Sequence, residues 1–468
     1  MAASGMATLF FAGQPAAGEL EFTPSIAVSQ SYTDNIDLES DETKESSLVT
    51  EIKPSIRQRS LSARSQSALD TALTFRHQTS GDEEGWGVDL TLTGLGRIEA
   101  IEELLFIDGY ASVSQQVLDN DQAATTGNQE TVQVYAISPA LKNRLGGYAD
   151  METRYILSQV LIGGDDDATS DATIHVGRVA LDSGRRFARV KGGLLGAAGL
   201  EDRSDVDDVT RATGGFAAEY AFARSFSLIV GAGYEHFDDG DSDNSFDGPT
   251  YMAGFRARPG PRTELKFTYG RRDDTYNADA QFRYDIGPRT TFTAIYAETL
   301  GTSQGRLSGN LFEIDVDRDS GDFIDSPTGF DFNPRPNSFD IDDETTRIKS
   351  LKVRIDGQRG RNTFRLTGSA AREEIENSGD KEDILSTSAS FARLLTPDLS
   401  ANGVIAFERI EFADGQDDRE FIMSAGMSYN LYTNMQATLA YSFRNQNSNE
   451  ETSEFTENRL TVGLRTSF

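Results

Sequence analysis

Read back from its last residue, the chain alternates. Leu460, Val462, Leu464 and Phe468 fall on one face of an extended segment, with Arg459, Thr461, Arg465 and Ser467 on the other. The same period recurs upstream. Met435, Ala437, Leu439, Tyr441 and Phe443 interleave with Gln436, Thr438, Ala440, Ser442 and Arg444, and Phe421, Met423, Ala425, Met427, Tyr429 and Leu431 with smaller or more polar residues. Tyr276, Ala278, Ala280, Phe282, Tyr284 and Ile286 alternate with Asn277, Asp279, Gln281, Arg283 and Asp285, and Leu265, Phe267 and Tyr269 with Lys266, Thr268 and Gly270. A period of two belongs to strands and not to helices. Strands with an apolar outer face and a polar inner face are what a lipid-facing, water-filled barrel requires, and Tyr and Phe near the strand ends fit its two aromatic girdles.

The connections between these strands are of two kinds. Short, often basic turns (KNRLGG at Lys142, SGRR at Ser183, RPGPR at Arg258, QRGRN at Gln358, LYTN at Leu431) alternate with long acidic ones such as DNIDLESDETKES, GGDDDATSD, EDRSDVDD and NQNSNEETSE. About ten of the first and about eleven of the second, in strict alternation, predict an all-β, antiparallel, up-and-down transmembrane β-barrel of about 22 strands, within a range of roughly 18–22. In the usual arrangement the short turns and both termini face the periplasm and the acidic loops face outward. Residues 19–468 then form a single barrel. The first 18, with the short apolar stretch MATLFFAGQPAAG, read as the remnant of a secretory signal that lacks its basic start.

One connection breaks the pattern. Residues 301–344 are too long for an ordinary hairpin loop and carry Pro327, Pro334 and Pro336 among several phenylalanines, a composition poorly suited to strand or helix. Two readings stand: a loop folded inward to narrow a pore, or an outward excursion.

Composition narrows the partners. The mean hydropathy of -0.46 and the absence of any apolar run of about 18 residues exclude helical spans but not strands. Cysteine is absent, so there is neither a disulfide framework nor a thiolate metal site, and a net charge of -31 argues against nucleic acid. The expected surroundings are outer-membrane lipid and lipopolysaccharide.

Two resemblances add to this reading. A terminal strand ending on an aromatic residue resembles that of bacterial outer-membrane barrels, which implies that Phe468 is an assembly signal read by the barrel assembly machinery. The phrases SYTDNI at Ser31, Leu265 to Gln304, GQRGRNTF at Gly357 and YNLYTNMQATLAYSFRNQNS resemble outer-membrane proteins of PEP-CTERM and exosortase systems in Gram-negative bacteria. That likeness implies a place beside exopolysaccharide biosynthesis and export components; it carries no catalytic motif.

Candidate chemistry is sparse. His77, His175 and His236 are far apart, and only a pairing of His175 with Ser158 or Ser183 offers a nucleophile and base; no enzyme is expected. No cofactor is expected beyond loosely bound Ca²⁺ or Mg²⁺ in the acidic loops. Asp315, Asp317 and Asp319, and Asp239, Asp241 and Asp243, imitate the start of a calcium loop without its glycine spacing or terminal glutamate. With the apolar set facing lipid, Arg256, Lys266, Arg283, Lys352, Arg354, Arg365, Arg444, Arg459 and Arg465 line the lumen beside Asp279, Asp285 and Asp356. They form either a basic path for an anionic solute or a ladder of ion pairs that only braces the wall. The functional expectation is a channel or scaffold for exopolysaccharide export; the alternatives are an anion-preferring general diffusion porin and a purely structural outer-membrane protein.

Overall fold

The computed structural model describes residues 19–117, 120, 125, 128–163, 169–187, 189–240, 244–317, 322–326, 331–333, 339–450 and 453–468. The expected signal remnant, residues 1–18, lies outside the described residues. Within them, 22 strands make one antiparallel sheet that closes on itself. The first strand, Glu19–Thr33, pairs with Ser47–Leu61 on one side and with the last strand, Phe455–Ser467, on the other, from Ser25↔Ser467 to Thr33↔Arg459. Closure leaves no unpaired edge, the condition for a sheet to cross a bilayer. The strands run from 10 residues at Thr263–Arg272 to 17 at Gln129–Leu145, at or above the roughly 9–11 that a membrane-spanning strand needs.

Alternation assigns the faces as expected. Phe267 is paired with Phe255, Leu265 with Phe282, Leu439 with Met427 and Val462, and Tyr441 with Leu460, so these residues share the outer surface. Exposed Trp86, Tyr32 and Tyr276 stand near the acidic-loop end, and Phe22, Phe222, Tyr432 and Phe468 near the short-turn end. The tight RRDDT turn is a two-residue hairpin with Asp273 and Asp274 both left-handed, at φ +54° and +56°. That conformation favours glycine or asparagine; here Arg271 pairs with Asp274, and Arg211 and Arg272 with Asp273.

The described residues of the segment between strands Thr290–Gly301 and Thr346–Arg359 lie inside the barrel. It forms one helix, α1 (Ser303–Leu311), and a small hairpin of Ile314–Val316 with Phe323–Asp325, extended by a bridge from Ile324 to Asp331. Composition had argued against regular structure, but the prolines all come later and leave SQGRLSGNL free to coil. Thr302 caps α1, its hydroxyl accepting from the Gly305 amide at 3.0 Å. The segment touches strands far apart around the wall, which only an inward position allows. Thr302 donates to Glu201 at 2.6 Å near the acidic-loop end, Phe312 packs edge-on against Tyr110, and Asp322 meets Arg57 four residues from the short-turn end of its strand. Its described residues thus reach along most of the length of the lumen, and Phe339 is buried against Ile348 and Ile384.

Candidate lumen site and constriction

The inserted segment meets the lumen wall in two different ways. On one side, Leu307 and Leu311 of α1, with Ile314 and Ile341, join Ala68, Leu95, Val132, Val134, Ala136, Val160, Ala172 and Ile174 in one buried cluster. These wall residues face inward. Ala68 is paired with Leu95, Leu95 with Tyr110 and Tyr110 with Ala136, and a neighbouring row runs Val134, Val160, Ala172. At this level the inner faces are largely apolar, with the Ser112 and Ser158 side chains buried beside them, and docking of the segment covers the seam. Burying a Leu or Ile side chain is worth about 1.5–3 kcal/mol relative to exposing it.

On the other side the contact is ionic. Arg57 Nη2 lies 3.3 Å from Asp322 Oδ1, the Arg59 guanidinium sits over the Phe323 ring at 4.8 Å, and Asp331 pairs with Arg365 and, at 4.0 Å, with Arg354. Glu313, its pKa raised by burial and by the nearby Asp325, faces Lys352. These wall residues come from strands Ser47–Leu61, Thr346–Arg359 and Asn362–Ile375.

A third set of contacts binds the two ends of the segment to the rim at the acidic loops. Arg203, almost wholly buried, pairs with Asp239 at 3.0 Å and donates to the Asp343 carbonyl at 2.7 Å. Thr345 donates to Asp239 Oδ2 at 2.7 Å, and Asp343 accepts from the Ser170 amide and hydroxyl at 2.9 and 2.6 Å. Arg306 donates to the Gly301 carbonyl and the Thr346 hydroxyl and lies 3.4 Å from Glu373. Asp342 carries a pKa pushed up to about 7, first by burial and then by the charge of Glu373.

The nine cations expected in the lumen share the inner face. Arg256 is the direct partner of Lys266, and one cross-strand row runs from Arg283 through Arg354 to Arg444 and Glu457. Most have carboxylate partners: Arg256 with Glu219 at 3.1 Å, Arg283 with Asp285 at 3.5 Å, Arg365 with Asp356 at 2.8 Å, Arg444 with Glu420 at 2.6 Å and Arg459 with Glu457 at 2.8 Å. Arg354 also pairs with Asp356, Arg465 donates to Ser25 at 3.2 Å, and Asp279 takes Arg272 at 3.5 Å. Arg444 and Arg459 line a cavity of about 160 Å³ together with Glu51, Arg76 and Gln78.

Other candidates are not brought together. Leu157 is the cross-strand partner of His175, so Ser158 points into the lumen while His175 points out, where the Tyr155 hydroxyl meets its Nδ1 at 2.7 Å. Ser183 instead accepts from the Gly192 amide. Of the acidic-loop candidates, Asp319, Asp241 and Asp243 lie outside the described residues. Asp239 is engaged by Arg203 and Thr345, and Asp315 accepts from the Val316 amide. The rim residues Arg203, Arg306, Arg347 and Asp343 were not singled out from sequence, where one more charge in an acidic loop carries no signal. The apolar seam did leave one: VYAI at Val134, YIL at Tyr155 and VLI at Val160 are apolar at consecutive positions, the mark of a strand covered on both faces.

Comparison with known proteins agrees with this architecture. Residues 363–468 match the family described as "Putative beta-barrel porin 2". No curated protein sequence matches the chain. Among solved structures, the FrpB iron transporter from Neisseria meningitidis superposes with a TM-score of 0.54 at 8% identity, over 95% of this chain and 81% of that one. The siderophore receptor PirA from Acinetobacter baumannii superposes with a TM-score of 0.51 at 8% identity, over 97% and 81%. At such identities the likeness is one of fold: this chain has the closed, 22-stranded antiparallel β-barrel fold of outer-membrane proteins.

Proposed function

We propose that the protein is an outer-membrane channel, without catalysis, whose pore is narrowed by its own inserted segment and whose basic inner wall guides an anionic solute. The observation that carries the reading is the place of the described residues of 302–345 in the lumen, against a wall where Arg57, Arg354 and Arg365 converge on them. The solute class rests on those cations and on the resemblance to exopolysaccharide-associated barrels; an acidic polysaccharide moving from the periplasm outward fits both. In this reading both termini are periplasmic, Phe468 serves recognition by the assembly machinery, and the acidic loops face lipopolysaccharide, where they can bind Ca²⁺ or Mg²⁺ loosely.

A second reading, a general diffusion porin, is favoured by the porin family that matches residues 363–468. Planar-bilayer recordings in asymmetric KCl test the first. An anion preference that falls when Arg283 and Arg354 are replaced by Gln is expected. Cation preference unchanged by those substitutions would overturn the anionic path and leave the ion-pair ladder as bracing.

A further inference from the structure

The contacts of the hairpin describe a binding site already filled. Asp322 and Asp331 lie on neighbouring strands of the small inner sheet, where the Phe332 amide donates to the Phe323 carbonyl at 3.0 Å. Each reaches a different arc of the wall, Asp322 to Arg57 and Asp331 to Arg365 and Arg354. Two carboxylates on adjacent extended segments, offset by two residues, therefore reach arginines on distant arcs of the wall, near the end of the barrel that carries the short turns. The carboxylates are the wet partners: the side chains of Asp322 and Asp331 are 60% and 67% exposed, whereas Arg354 is only 10% exposed. The arginines are held by the wall, Arg57 beside Asp70 at 3.5 Å and Arg354 and Arg365 beside Asp356, and the insert supplies the further acids.

Resting on the proposed guidance of an anionic solute, we infer that Arg57, Arg354 and Arg365 form a binding site for polyanionic solutes, carrying two or more carboxylates along an extended backbone, and that the acidic hairpin occupies this site as an intramolecular stand-in. A uronic-acid oligosaccharide has the chemistry to replace it, since sugar carboxylates repeated along a chain can reach both arcs as Asp322 and Asp331 do. Exposed ion pairs are individually weak and screened, so a ligand that meets all three guanidinium groups at once can compete. The direction of entry follows from the position of the site: a solute arriving from the short-turn end meets the arginines and the hairpin first, and the helix behind them last.

The test is equilibrium binding to the full-length protein in detergent micelles, by calorimetry, with trigalacturonate, the neutral maltotriose and inorganic sulfate as probes. Asp322→Asn with Asp331→Asn removes the insert's competing acids, leaving Asp70 and Asp356 on the wall, and should tighten trigalacturonate binding by about threefold to tenfold over the wild type. Arg57→Gln with Arg365→Gln should abolish it. Heat-modifiable migration on gels reports whether each variant is folded, and if the arginine variant is not, the Asn variant still decides. Trigalacturonate bound no more tightly by the Asn variant than by the wild type would overturn the inference, as would maltotriose or sulfate bound as tightly as trigalacturonate. Binding requires no conduction, so a conducting barrel that does not bind refutes this site alone, and a binding barrel that never conducts refutes the channel alone.

Discussion

The inserted segment is held by two unlike contacts, and the contrast between them says which part can move. Against strands such as Gln129–Leu145 and Ala149–Ile162 the contact is a dry apolar seam, with Leu311 only 1% exposed and Val160 fully buried. Against Ser47–Leu61 and Asn362–Ile375 it is a set of half-exposed ion pairs. Apolar burial is indifferent to salt and costs the full transfer energy to undo, whereas solvated pairs are worth roughly 0–1 kcal/mol each and weaken as salt is added. The helix is the anchor, and the hairpin is the more weakly held tongue.

The largest effect should come from the anchor. Leu311→Ala leaves a cavity in the buried cluster and should cost about 2–4 kcal/mol of docking. Amide exchange across 303–311 should then speed up, while the barrel keeps its heat-modifiable migration, because strand pairing does not depend on the insert. Unchanged exchange would mean that the rim contacts alone hold the helix.

Next comes pH. Asp342 titrates near 7 in the folded-in arrangement, above its ordinary value of 3.8, with Glu373 on the wall, Arg306 on α1 and Glu344 on its own segment as its charged neighbours. The folded-in form therefore holds a proton that the released form gives up. Its contribution to docking is complete below about pH 4 and is lost as pH rises through about 7. The insert should be tightest under acid conditions, and the protection of 303–311, taken against the exchange rate of the free peptide at each pH, should fall between pH 6 and 8. Asp342→Asn should flatten that dependence; the same profile in the variant would assign the pH effect elsewhere.

The smallest effect belongs to the tongue. Asp322→Asn and Asp331→Asn should each change docking by less than about 1 kcal/mol. The difference from wild type should vanish near 1 M KCl, where the screening length is about 3 Å. A loss as large as that of Leu311→Ala would invert the assignment of anchor and tongue.

How far the sequence could be read follows the same division. Alternation along strands such as Met435–Asn447 and Phe455–Ser467 was enough to give the barrel and its strand number, because each such strand has one apolar and one more polar face. Inner-face cations such as Arg283 and Arg354 were legible for the same reason. The position of residues 302–345 was not, since whether a loop turns in or out depends on what it meets. The partner of Leu311 is a stripe contributed by several strands, and no local pattern names it. Its trace lies in Val132, Val134 and Val160, apolar where a water-lined strand would be polar. Arg203, Arg306 and Asp343 were invisible because their meaning comes from contacts across the lumen, not from neighbours in sequence.

Occupation of the lumen by the insert is the central claim, and single-channel conductance of a barrel lacking residues 303–344 tests it most directly. Gly301 and Thr346 are cross-strand partners, so a short glycine linker between Thr302 and Thr345 closes the gap without straining the wall. The account predicts a folded, heat-modifiable barrel whose conductance is severalfold that of the full chain and no longer depends on pH between 6 and 8. A deleted barrel that conducts no better than the intact one would contradict it.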